Sequence, residues 1–281
     1  MTIFWIILAI IAGIFVFLLA FWLYMLAPNP DGRQRMEPYA KWDYAHRGFY
    51  NGADIPENTL AAYRAATDAG FGIELDVRLT RDKKMVIHHD DSLKRLCGDE
   101  RLISETDFAD LAGVRVGGTA EKLPLFAEAL ETVAGKTPLI VEIKVTSGNS
   151  AEICPLVADI LDSYKGPYVI ESFDPEAVRW FRKNRPDVIR GLLVSPFYQK
   201  SAGSFKRWAG VNLLCSNGVT RPDFVAYDIQ RRTNRAFTLC RRLFGTQEVS
   251  WTVRTPEDCV RIRQEGGIPI FEKFDPRDIK Q

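Results

Sequence analysis

Residues 72–91 read GIELDVRLTRDKKMVIHHDD, and the reading of this stretch decides the fold. Ile73, Leu75, Val77 and Leu79 alternate with Glu74, Asp76, Arg78 and Thr80, the period of a half-buried strand. Arg81-Asp82-Lys83-Lys84 supplies a polar turn, after which Met85-Val86-Ile87 resumes the apolar run. Alternation puts Glu74 and Asp76 on one face. If the chain folds back near Asp82 and Lys83, Asp76 comes level with His88 and His89. Burying unpaired charge is costly, so a core strand has no use for two acids on one face. The stretch is therefore either a solvated edge strand with chance histidines or a hairpin carrying chemistry at one end.

On either side of it, helical patterns of ten to fifteen residues alternate with short apolar strands. Residues 60–70 (LAAYRAATDAG) form a helix that Asn58 or Thr59 caps and Gly70 stops. Residues 138–144 (PLIVEIK) form a strand with Glu142 and Lys144 at its exit, and further strands are expected at 168–172, 188–194, 248–253 and 268–271. The stretch 195–225 is poorly patterned, with strands expected at 211–215 and 224–227. About eight such β/α units fit one α/β domain built as a TIM-type barrel, made irregular by the hairpin, which has no crossover helix. At 281 residues the chain can bury one core of that size.

Residues 1–30 carry no charged side chain, and 3–27 are almost unbroken aliphatic and aromatic. That run crosses a bilayer core of about 30 Å as a helix, with Trp5, Trp22 and Tyr24 towards its ends. It lacks the basic start and small-residue cleavage site of a signal peptide, so an uncleaved single-pass anchor is expected. No Lys or Arg precedes the span, whereas Arg33, Arg35 and Lys41 follow it, which places the catalytic domain at the cell membrane on the cytoplasmic side. The expected division is an anchor at 1–27, a linker at 28–40 and the barrel at 41–281. Five scattered cysteines without a C-x-x-C pair suit reduced thiols and argue against a thiolate metal site. A net charge of +1 gives no reason to expect nucleic acid as a partner. The helix expected at 230–244 carries five arginines, read as a solvated face or as one that meets anionic lipid.

Polar groups gather at successive strand exits: His46 and Arg47, Glu74 and Asp76, His89, then Glu142 and Lys144. In a β/α barrel these exits converge on one end. Three carboxylates without thiolates form a hard, oxygen-rich set that suits Mg²⁺ or Ca²⁺.

These residues also carry a family resemblance. His46-Arg47-Gly48, Pro56-Glu57-Asn58-Thr59, Glu74-Leu75-Asp76-Val77, Thr80-Arg81-Asp82, His89-Asp90, Glu142-Ile143-Lys144 and Ser172-Phe173 resemble the glycerophosphodiester phosphodiesterases in identity, order and spacing, over about residues 42–253. The resemblance implies a distorted β/α barrel and one divalent cation, Mg²⁺ or Ca²⁺, held by Glu74, Asp76 and Glu142. It implies catalytic histidines at His46 and His89, phosphate-binding cations at Arg47 and Lys144, and Glu57 at or near the metal. Ser172, Phe173 and Trp251 are expected at the pocket rim. His88 should face away from His89 and be structural. The implied reaction is hydrolysis of a glycerophosphodiester to an alcohol and glycerol 3-phosphate. The alternatives are attack on lysophospholipids or other membrane lipids, and a silent phosphodiester-binding module. The chain departs from the family where Arg254 follows Trp251-Thr252-Val253 and in the closing stretch 267–276, which bears on the head group of the substrate.

Overall fold

A computed structural model of the chain describes residues 1–52, 54–195, 209–210 and 212–279. Its centre is a closed barrel of eight parallel strands: β1 (Tyr44–Ala45), β2 (Gly72–Leu79), β4 (Leu139–Ile143), β5 (Tyr168–Ser172), β6 (Arg190–Val194), β7 (Phe224–Asp228), β8 (Gln247–Val253) and β9 (Ile268–Phe271). Strand β1 pairs with both β2 and β9, which closes the ring. The ninth strand, β3 (Met85–Ile87), pairs antiparallel with β2 through Val77–Ile87, Arg78–Val86 and Leu79–Met85. This is the expected hairpin. Thr80 fastens its turn by accepting from the Lys84 N–H at 2.9 Å and donating to Asp82 at 2.6 Å.

The longer helices are α1 (Thr2–Leu26), α2 (Leu60–Ala69), α3 (Phe126–Val133), α4 (Ser150–Ser163), α5 (Pro175–Asn184), α6 (Arg235–Phe244) and α7 (Pro256–Gln264). Local chemistry explains their ends. The Thr59 hydroxyl accepts from the Ala62 N–H, and Gly70 closes α2 at φ 77°. Asn234 caps α6 and interrupts what the sequence presents as one helix from 230 to 244. Residues 212–215 are not a strand, and Val211 lies outside the described residues.

Apolar side chains fill the barrel floor, where Met36, Tyr44, Phe224 and Ile268 are fully buried. The 28–40 stretch, expected as a linker, packs against this floor. Met36 is enclosed, the Asn29 N–H donates to the Pro222 carbonyl, and Arg35 pairs with Asp223 at 2.8 Å. Residues 2–21 of α1 are exposed, whereas Leu26 is buried among Leu192, Val225, Phe237 and Cys240. In α6 and the turn before it, the arginines do not form one free face. Arg232 and Arg241 turn inward onto Glu248 and Glu265.

Candidate active site

The strand alternation that buries Leu75 and Val77 against the helices turns Glu74 and Asp76 into the barrel. In parallel register Asp76 stands beside Glu142, and Glu142 beside Glu171. One carboxylate oxygen from each of Glu74, Asp76 and Glu142 lies within 4.8 Å of the others, and all three residues are buried. Burial and the neighbouring acids push Glu74 well above the usual carboxylate range, and burial raises Glu142. Burial opposes the Asp76 anion too, but Lys144, His89 and Arg47 outweigh it and hold Asp76 low. Three converging buried carboxylates that repel one another, with hard oxygen donors only, fit a divalent cation.

Two cations border this group. Lys144 Nζ lies 2.9 Å from Asp76 and 2.7 Å from Glu142, which leaves one of its three donors for a ligand. Arg47 donates to Glu57 at 2.6 Å and stands 3.5 Å from Asp76, while its backbone N–H donates to Glu74 at 2.9 Å. That approach requires the backbone of Arg47 and Gly48 to turn at φ 58° and 83°. Glycine at 48 suits both the turn and the space, because a Cβ there would meet Ala62 and Tyr63. Glu57 binds Arg47 and Arg95 and is not one of the three clustered acids, so it positions Arg47. Asn58 does the same for Asp76, donating to it at 2.7 Å.

The two histidines flank the acids. His46 Nδ1 lies 2.7 Å from Glu272, and its Nε2 lies 3.9 Å from Glu74. A carboxylate only accepts, so Nδ1 carries the hydrogen and Nε2 keeps a free lone pair. Burial and Arg47 lower His46 to about 4. His89 Nδ1 is held in the same manner by Asp90 at 2.7 Å, and its ring is 31% exposed. His88 pairs through its backbone with Asp76, is 1% exposed and does not line the cavity.

His46, Arg47, Glu74, His89, Glu142 and Lys144 all line one cavity of about 400 Å³ at the end where the parallel strands exit, the candidate catalytic end. A second cavity of about 530 Å³ shares Glu142, Lys144, Phe173 and Leu193 with it and continues past Val194 to Gly210 and Ser216. Phe173, just past β5, packs edge-on at 5.4 Å against Trp251 of the non-adjacent strand β8, and both line the cavity. Ser172 spends its hydroxyl on the Ile143 carbonyl at 2.7 Å and serves to hold the strand exits together.

Sequence reasoning missed two acids. Glu272 follows the last strand and gathers His46, Tyr50 and Arg254 at 2.7–2.9 Å. Its signal was present as an acid at a strand exit. Glu171 is 1% exposed and faces the same cavity, and its place directly before Ser172-Phe173 was the available cue.

The match to known proteins agrees with this geometry. The model of the glycerophosphoryl diester phosphodiesterase family matches residues 46–272, from the first histidine to the acid that holds it. The chain belongs to this family. A glycerophosphodiester phosphodiesterase of Caldanaerobacter subterraneus is 30% identical over 53% of this chain and 65% of its own length, so the match spans just under two thirds of that relative. A rat lysophospholipase D is 29% identical over 43% of the chain and 41% of its own length. Among solved structures, an Oleispira antarctica phosphodiesterase in complex with sn-glycerol-3-phosphate superposes with a TM-score of 0.66 at 23% identity, over 84% of this chain and 94% of the other, and shares the fold.

Proposed function

We propose that the protein hydrolyses glycerophosphodiesters to glycerol 3-phosphate and an alcohol, using a divalent cation and the two histidines as base and acid. The carrying observation is that two histidines, each oriented by a carboxylate, face one cavity across a buried triad of acids. Held by Glu74, Asp76 and Glu142, Mg²⁺ or Ca²⁺ would supply positive charge for the phosphoryl oxygens. The free donor of Lys144 and the guanidinium of Arg47 add to that charge from the protein side.

The roles of the histidines follow from their surroundings. His46 is enclosed and kept neutral, with Nε2 free and its tautomer fixed by Glu272, so it takes the proton from the attacking hydroxyl. His89, more open and paired with Asp90, protonates the departing alkoxide. The test is incubation of the full chain with glycerophosphocholine and Mg²⁺ or Ca²⁺. Glycerol 3-phosphate and choline are expected, whereas phosphocholine and glycerol would contradict the assignment of the cleaved bond.

The chain is also proposed to be held in a membrane by α1, whose 25 residues form one apolar helix. Its last residue is part of the barrel's packing, which supports an uncleaved anchor over a removed leader. A second reading, hydrolysis of lysophospholipids, is favoured by the second cavity of about 530 Å³, where Phe173, Leu193 and Val194 stand beside Arg78, Asp174 and Ser195 and leave room for a larger substrate group next to Lys144. Release of choline from lysophosphatidylcholine would support it.

A further inference from the structure

The way α1 meets the barrel has a direction. Strand β6 ends at the catalytic end, where Ser195 lines the cavity, and β7 starts at the opposite end, where the Asp223 N–H donates to the Arg190 carbonyl at 2.8 Å. Gly210 and Ser216 line the second cavity beside Ser195, and Asp223 lies at the floor, so the described part of their connection, 209–210 and 212–223, runs from the catalytic end to the floor. Helix α1 touches this limb in the same order. Trp22 Nε1 donates to the Leu213 carbonyl at 3.2 Å, Met25 lies against Gly218, and Asn29 meets Pro222 and Asp223 at 2.9 and 2.6 Å. The two segments run side by side in one direction, with the C-terminal end of α1 nearest the floor. Its preceding residues, 2–21, project past the catalytic end for about 30 Å at 1.5 Å per residue, which matches the hydrocarbon thickness of a bilayer.

The joint has no hinge. A helix leaves its last carbonyls without internal partners, and here donors of the barrel take them. Asn217 donates to the Leu26 carbonyl at 2.9 Å, and Arg221 donates to those of Tyr24 and Ala27 at 3.0 and 2.5 Å. The Arg221 charge also suits the negative end of the helix dipole and covers the Tyr24 ring at 4.4 Å. Gly218 is needed for this contact, since a Cβ there would fall 2.6 Å from the Met25 sulfur. Packing of Leu26 against Leu192, Val225 and Phe237 completes the joint.

We infer that this joint holds the barrel with its catalytic rim turned to the bilayer, so that the rim is a lipid-facing surface. The inference rests on the reading of α1 as a membrane span and goes further by fixing which end of the barrel faces lipid. Helix α5 provides a ruler for it, because Glu176 lies at its catalytic end and Lys183, two turns on, near the floor, and both are exposed.

The test uses the full chain in vesicles of phosphatidylcholine and phosphatidylglycerol, with Cys97→Ser and Cys215→Ser removing the two partly exposed thiols. Single fluorophores are placed at Gly13→Cys, Glu176→Cys or Lys183→Cys. A nitroxide on the acyl chain should quench the label at 13, and a nitroxide on the headgroup should quench the label at 176 several-fold more than that at 183. Equal or reversed quenching at 176 and 183, with 13 still quenched, overturns the orientation and leaves the span intact. No quenching at 13 overturns both. Arg221→Gln, which removes the clamp on α1, should shrink the difference between 176 and 183. An unchanged difference overturns the assignment of the joint.

Discussion

At the residue scale, the site works through pairs in which one side chain sets the state of another. Glu272 fixes the His46 tautomer, so Glu272→Gln should lower kcat by about 10²–10⁴-fold, as loss of a general base does, while leaving circular dichroism and thermal unfolding nearly unchanged. His46→Ala and His89→Ala should fall by a similar factor, and His88→Ala should retain most activity in the same assay. If His88→Ala were the inactive variant and His89→Ala the active one, the two histidines would have exchanged roles. The pH profile supplies a second prediction. With His46 lowered to about 4 by burial and Arg47, it stays unprotonated as pH falls through 6.5, and its base function is lost only as pH nears 4. The acid limb of kcat/KM for glycerophosphocholine is therefore expected near pH 4, well below the ordinary histidine value of about 6.5. A limb at 6.5 would remove burial as the controlling influence. Most of these residues were legible in the sequence because each sits at a strand exit in a polar motif. The partners of Glu272 and Glu171 were not, because nothing local to either names the histidine or acid that it faces.

At the element scale, the hairpin was readable because the turn fixes its register. Residues equidistant from the turn pair, as the Asp76 carbonyl and His88 N–H do at 3.0 Å. The docking of α1 was not readable, because its partners lie nearly 200 residues away and an apolar helix end looks the same whether it meets lipid or protein. The same limit applies to the arginines of the α6 region. Arg232 and Arg241 neutralise Glu248 inside the wall, and the spacing of the arginines does not announce that acid. One consequence concerns where the folded unit begins. A chain starting at Lys41 loses the burial of Leu26 and Met36, each worth about 1.5–3 kcal/mol, a large part of a typical domain stability of about 5–15 kcal/mol. A chain starting at Trp22 keeps both. Thermal unfolding should place the Lys41 form well below the Trp22 form, and equal midpoints would mean that 22–40 contributes no stability.

At the scale of the whole molecule, eight parallel strands bring acids and histidines from distant parts of the chain to one end and leave the other end to apolar packing. An ion held by the three buried carboxylates at that end would be a stabilising ligand as well as a chemical one. Saturating Mg²⁺ or Ca²⁺ at about 100 times its dissociation constant should add about 2.7 kcal/mol to stability, read as a rise in unfolding temperature that Glu74→Gln or Glu142→Gln reduces. The decisive measurement is the rate of glycerol 3-phosphate release from glycerophosphocholine by chelator-treated full chain as Mg²⁺ or Ca²⁺ is returned. It should be compared with the same titration of Asp76→Asn. The rate should fall to background in chelator and recover with the ion in the native chain but not in the variant. Full turnover in excess chelator, or full recovery by Asp76→Asn, would contradict catalysis at this centre.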